Sequence, residues 1–276
     1  MATLFKNHTK EKLFGQIYTP DFIVKKILDD VGYINENILE KKILDPACGD
    51  GRFLCEIVRR IILYSPSEKI AHNLSYVYGY DIDNNAINEC ISNLNAIVSE
   101  YTDAKINWNI YCCDTLKKIE NVNNIFSNEN FIYFDYIVGN PPYIRIQHLD
   151  EDQRKFIQRN YSFCRSGSTD IFIAFFEFSF LSLKPTGICG FITPNTYFTT
   201  ETAKDFRKFL ETNQYIVKIT NYGEIQLFDN ATTYSAITII NKKKNNNFIY
   251  EKAITKNTFK KRIIDFSEIQ NTKFWQ

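Results

Sequence analysis

Two kinds of segment alternate along this chain. Short runs rich in β-formers recur at 42–45, 76–81, 106–113, 134–139, 188–193, 216–221 and 234–241. Between them lie stretches with helical patterning, at 20–30, 52–63, 84–100, 171–183 and 200–212. Strands that alternate with helices predict a parallel sheet covered on both faces. Thr19-Pro20 reads as a helix start, a hydroxyl cap followed by proline at the first helical position. The polar, low-complexity run from Asn241 to Asn247 reads as a break, and about thirty residues follow it, too few for a domain of their own. No internal repeat interrupts the pattern.

Composition changes this picture little. The chain has 276 residues, 44% of them hydrophobic, and a formal net charge of +1. It can bury a large core. A polyanionic partner would require its cations to be segregated on one face. Lys242, Lys243 and Lys244, followed by Lys252, Lys256, Lys260, Lys261 and Arg262, are one such stretch, readable equally as a solvated tail. The seven cysteines include no C-x-x-C pair, so neither a zinc site nor a disulfide framework is expected. The N-terminus is polar, and the longest apolar run is broken by Glu177. We therefore expect a cytoplasmic protein with no membrane segment.

The chemistry gathers where strands end. The run 133–139 leads into Asn140-Pro141-Pro142-Tyr143. Ligands bind at the carboxyl edge of open α/β sheets. Prolines fix the backbone and lack N–H groups, so their carbonyls stay ready to accept. An amide oxygen beside a rigid carbonyl makes a two-point acceptor for a planar NH2 group, and the tyrosine offers a stacking face. The loop from Asp45 to Leu54, DPACGDGRFL, joins the first strand to a helix. Its glycines allow close approach of a ligand. It is neither a Walker A loop nor a G-x-G-x-x-G fingerprint. Asp45 and Asp50 disfavour phosphate and favour a cationic ligand end. Asp81, ending the second strand, is placed to accept from ribose hydroxyls, with Ile82 as an apolar wall and Asp83 as a helix cap. Asp114, ending the third strand, could accept from an amino group. Each aspartate alone reads as a cap or a turn, but three strand ends in series make a site.

These motifs, in the order GQIYTP, DPACGDGRFL, GYDID and NPPY, resemble the gamma class of adenine-N6 DNA methyltransferases, the Eco57I-like branch of restriction–modification enzymes in particular. The resemblance spans roughly residues 14–241. NPPY alone is shared with glutamine methyltransferases that act on release factors. The resemblance implies a Rossmann-like class I methyltransferase sheet of seven mostly parallel strands, the last antiparallel, with helices on both faces and S-adenosylmethionine as cofactor. It implies that Tyr18, Thr19, Asp45, Ala47 and Gly49 meet the methionine end of the cofactor, that Asp81 holds its ribose, and that Ile82 and Asp114 meet its adenine. Asn140 and Pro141 would grip the amine of an adenine flipped out of double-stranded DNA, with Pro142 fixing the turn and Tyr143 stacking on the base. A second stacking aromatic is expected at Phe228, with Tyr234 as the alternative and an ordinary core role open for Phe228.

Further expectations concern the layout of the chain. Residues 1–245 form the catalytic domain, with 1–32 an N-terminal segment and helix. Residues 246–276 are a C-terminal segment, readable as the start of a recognition domain. The family reads DNA sequence with a separate recognition domain, so a truncated enzyme, a separate specificity subunit and contacts from local insertions all stay open. A protein-glutamine or RNA-base methyltransferase, or a non-catalytic subunit of a split enzyme, are the alternatives. Arg145, Gln147, Arg154, Lys155 and Arg159, close after NPPY, could contact phosphates or simply form a solvated face. His148 reads as surface, and Phe274 and Trp275 are unusual for a solvated tail.

Overall fold

The computed structural model describes residues 18–119, 131–165, 168–228, 234–270, 272, 274 and 275. Gly15–Ile17 of the N-terminal motif and the loop 229–233 lie outside the described residues. The strands are β1 (Ile43–Asp45), β2 (Val77–Asp81), β3 (Asn109–Cys112), β4 (Phe134–Gly139), β5 (Leu183–Pro194), β6 (Ile216–Asn221), β7 (Ser235–Asn241), β8 (Asn247–Ala253) and β9 (Phe259–Asp265). They form one sheet in the order β3-β2-β1-β4-β5-β7-β6-β8-β9. The strands from β3 across to β5 pair in parallel, and β7 runs antiparallel between β5 and β6. β8 then pairs in parallel with β6, and β9 closes the sheet antiparallel to β8. Among the described residues the sheet thus has nine strands rather than the seven expected. The two additions come from the segment after Asn241, whose lysines made it read as a solvated tail. Three of its side chains tell otherwise: Phe248 and Ile264 are buried, and Glu251 is buried at the heart of an ion network.

The helices are α1 (Asp21–Asp30), α2 (Arg52–Tyr64), α3 (Ile70–Leu74), α4 (Asn84–Val98), α5 (Glu151–Asn160), α6 (Phe172–Ser182), α7 (Lys204–Asn213) and α8 (Phe266–Ile269). One face of the sheet buries Ile23, Ile27, Leu54, Ile57, Ile87 and Leu94 of α1, α2 and α4. The other buries Ile157, Phe172, Phe176, Phe206 and Leu210 of α5, α6 and α7. α6 is apolar almost all round, as a fully enclosed helix must be. Its one acid, Glu177, is not a break but a clamp. Glu177 accepts from Ser162 N at 2.8 Å and Phe163 N at 3.1 Å, tying the segment after α5 to α6. No helix among the described residues is long and apolar enough to cross a membrane.

One local expectation changes. Thr19 does not cap α1; Pro20 occupies that position and its carbonyl receives Ile23 N and Val24 N. The threonine hydroxyl is taken by another partner, described below. Trp275, unusual for a solvated tail, is buried: its N donates to Phe198 O at 3.0 Å and its ring meets Tyr197 and Phe198, while Phe274 is half-buried. Asp83 does cap α4, accepting from Asn85 N at 2.9 Å.

The strand order reverses at β1, whose neighbours are β2 and β4. A crevice opens where strand order reverses, between loops that depart to opposite faces. The DPACGDG loop leaves β1 there, and NPPY leaves β4 beside it.

Candidate active site

The crevice holds a cavity of about 410 Å³, in the size range of small-molecule sites. Its floor is Asp45, only 2% exposed at the end of β1. Asp45 Oδ1 accepts from Ala47 N at 3.1 Å, which folds the loop back over the strand end. Gly139 lets β4 come close: a Cβ there would lie 2.6 Å from Asp45 Oδ1. Gly51 turns the chain into α2 with φ +93°, a left-handed conformation that suits glycine. Asp81 supports the same loop, with Oδ2 receiving Gly49 N and Oδ1 receiving Asp83 N, each at 2.9 Å.

The electrostatics of this floor are unusual. Burial pushes the Asp45 carboxyl up to about 8, the Ala47 N–H opposes this, and the charges of Asp81 and Asp50 push further upward. Burial also raises Asp81. No lysine or arginine pairs with Asp45 or Asp81 among the described residues. A buried carboxylate in such surroundings gains most from a ligand that brings a positive charge.

The cavity is lined by Tyr18, Thr19, Ala47 and Gly49 and by Asp81, Ile82 and Asp114. Asp114 caps the turn after β3 by accepting from Leu116 N at 3.1 Å and presents the rest of its carboxylate to the cavity. Ile82 is half exposed and lines the cavity. Phe175 of α6 lines the cavity too, together with Leu116 and Ile144. Phe175 escaped detection in the sequence, because in an all-apolar helix nothing distinguishes a cavity wall from ordinary core. His148, expected on the surface, is exposed and also lines the cavity. Tyr18 is 58% exposed and lies under the Arg52 guanidinium, 5.2 Å from its ring centroid.

Asn140 and Pro142 border the same cavity. Asn140 Nδ2 donates to Thr19 Oγ1 at 3.0 Å, so the amide nitrogen is turned to Thr19 and Oδ1 to the opposite side. Thr19 is 4% exposed, which makes it a firm anchor. Pro141 is buried behind Asn140. Tyr143 donates its hydroxyl to Ile192 O at 3.4 Å and stands edge-on to Phe228, with ring centroids 6.3 Å apart. Phe228 is 3% exposed, whereas Tyr234 is 55% exposed. The structure therefore brings all the expected cofactor-side residues around one cavity with Asn140, and sets Tyr143 and Phe228 in mutual contact beside it.

The fold is that of class I methyltransferases. The chain superposes on the DrdV–DNA complex seen by cryo-electron microscopy with a TM-score of 0.72 at 17% identity, over 92% of this chain and 30% of that one. It superposes on a putative class I S-adenosylmethionine-dependent methyltransferase from Listeria monocytogenes with a TM-score of 0.59 at 20% identity, over 87% and 67%. In sequence it is 30% identical over 259 residues to the Type II methyltransferase M.BstVI of Geobacillus stearothermophilus, an alignment covering 89% of this chain and 44% of that protein. The pattern of the Eco57I restriction-modification methylase family matches residues 75–228, and the chain belongs to that family. It spans less than half the length of the curated relatives it matches.

Proposed function

We propose that the chain carries the catalytic centre of a DNA adenine-N6 methyltransferase of a restriction–modification system, with S-adenosylmethionine as methyl donor. The observation that carries the reading is the Asn140 amide, held through its nitrogen by Thr19 at the border of an acid-floored cavity. The donor set fits the cofactor. Asp45 would take its cationic amino-acid end, Asp81 its ribose hydroxyls, and Asp114 its adenine amine. Ile82 and Phe175 would enclose the ring. S-adenosylmethionine supplies a methyl group activated by a sulfonium centre.

The chain's own task is to hold the acceptor. The exocyclic nitrogen of adenine is a weak nucleophile because its lone pair is delocalised into the ring. Asn140 Oδ1 and the Pro141 carbonyl would accept its two N–H groups. Those fixed dipoles favour the nitrogen as it becomes tetrahedral and positive. The Thr19 hydroxyl keeps the amide from rotating, so the acceptor is already aimed. Tyr143 would stack on the extruded base, with Phe228 or Tyr234 as its second aromatic neighbour. We assign the choice of target sequence to a recognition domain or a separate specificity subunit.

Incubation with isotopically labelled S-adenosylmethionine and unmethylated duplex DNA, followed by nucleoside analysis, should yield N6-methyladenine. Label in a glutamine peptide or in RNA instead would favour those substrates. Cofactor binding without transfer to any of the three would make the chain a non-catalytic subunit.

A further inference from the structure

The lysine-rich stretch after Asn241 is continuous in sequence, but the sheet divides it. Lys243 and Lys244 lie in the turn from β7 to β8, at the edge opposite Asn140. β8 runs parallel to β6, so its far end and the tip of the β8–β9 hairpin return to the edge that carries NPPY. Lys252, Lys256 and Lys260 are exposed at that tip. The other two cations of the hairpin are committed elsewhere: Lys261 pairs with Glu251 at 3.2 Å, and Arg262 pairs with Glu268.

Lys252 and Lys260 stand directly opposite each other in the ladder, on the same face. Like charges in that relation repel and weaken strand pairing. No carboxylate forms an ion pair with Lys252, Lys256 or Lys260 among the described residues. Edge strands often carry lysine to prevent aggregation. That accounts for Lys260 on β9, but not for Lys252, which is inside the sheet on β8, nor for Lys256, which is in the turn. Three uncompensated cations on the catalytic edge fit an anionic partner. Strands are ~4.8 Å apart. Four and five strand spacings separate β4 from β8 and β9, which puts Lys252 and Lys260 roughly 20 Å from Asn140. Phosphates recur every ~3.4 Å along a strand, so that reach is about six base pairs.

We propose that the tip of the β8–β9 hairpin, through Lys252, Lys256 and Lys260, grips the phosphate backbone of the same DNA duplex whose adenine enters the Asn140 pocket. This rests on the DNA reading above. The lysines act without reading sequence, fixing the duplex about half a helical turn from the flipped base.

The test compares two triple glutamine variants of the full chain. One replaces Lys252, Lys256 and Lys260; the other replaces Lys41, Lys243 and Lys244 at the opposite edge and so removes the same net charge. Binding to unmethylated duplex DNA is measured against salt concentration in the presence of S-adenosylmethionine. The hairpin variant should lose about 2–3 units of the log–log salt slope and at least ~10-fold affinity near 0.1 M salt. The opposite-edge variant should lose less than one unit. Cofactor affinity should not change in either. Replacing the same three hairpin lysines by arginine should preserve the slope, which separates lost charge from lost folding. Equal losses in the two glutamine variants, or an unchanged slope in the hairpin variant, would overturn the role of the hairpin alone. No DNA binding by the unaltered chain, with cofactor still bound, would overturn it together with the DNA reading.

Discussion

Asp45 and Glu251 are both buried carboxylates in the same sheet, 2% and 1% exposed, and they are held in opposite ways. Glu251 on β8 accepts from Lys26 of α1 at 2.9 Å, from Thr220 at 2.9 Å and from Lys218 at 3.0 Å. Burial pushes it up, but those donors prevail and hold its pKa at about 2. Asp45 at the end of β1 has a single backbone donor and acidic neighbours, and burial pushes it up to about 8. A carboxylate that serves only the fold is surrounded by cations. A carboxylate left without them at a cavity floor is a cost to the fold, and it marks where a ligand must complete the charge balance. The region between β1 and β4 carries such a cost, whereas in the outer sheet Glu251 is held by Lys26, Lys218 and Lys261.

The comparison breaks most easily at Asn140. Asn140→Ala should lower methyl transfer about 10²–10³-fold while cofactor affinity and melting temperature stay near the unaltered values. Kinetics beside calorimetric binding would check it, and persistent transfer would remove Asn140 from the pocket. Glu251→Ala should do the reverse. It should cost about 3 kcal/mol of stability, the low end for a broken buried pair, because Asp30 still pairs with Lys26 and Lys218. Urea unfolding would show this, and the remaining folded fraction should bind cofactor normally.

Asp45→Asn probes both sides at once. Without cofactor the variant should be more stable than the unaltered chain at pH 8 by about 1–3 kcal/mol, yet bind S-adenosylmethionine at least ~10-fold more weakly. A melting temperature that fell at pH 8 would show that Asp45 serves the fold instead.

The smallest effects lie in the pH profiles. The lowered pKa of Glu251 means the unfolded chain takes up its proton first. Its contribution is complete above about 4.5 and is lost as pH falls toward about 2. The raised pKa of Asp45 means the folded chain holds the proton more tightly, so stability falls as pH rises from 3.8 to about 8. Urea midpoints of Glu251→Gln should flatten the acid limb alone, and those of Asp45→Asn the upper limb alone.

Much of the fold and site was legible because it is local or follows one topological rule. The core strands stood out as β-rich runs, and the alternation with helices dictated parallel pairing. Parallel strands end at one edge, so Asp45, Asp81, Asp114 and Asn140 had to gather there whatever the packing details. The chain by itself therefore determined the class of fold and the neighbourhood of the site. Only the tertiary structure decided what depends on distant partners. Thr19 looked like a helix cap until Asn140, remote in sequence, claimed its hydroxyl. Phe175 became a cavity wall and Phe176 stayed core by one step around a helix that is apolar on every side. The final strands were hidden because the β8–β9 hairpin joins the sheet through β6 rather than through its chain neighbour β7. That non-local pairing also sorted one run of lysines onto two opposite edges, and sorted charge that completes the fold from charge that faces outward.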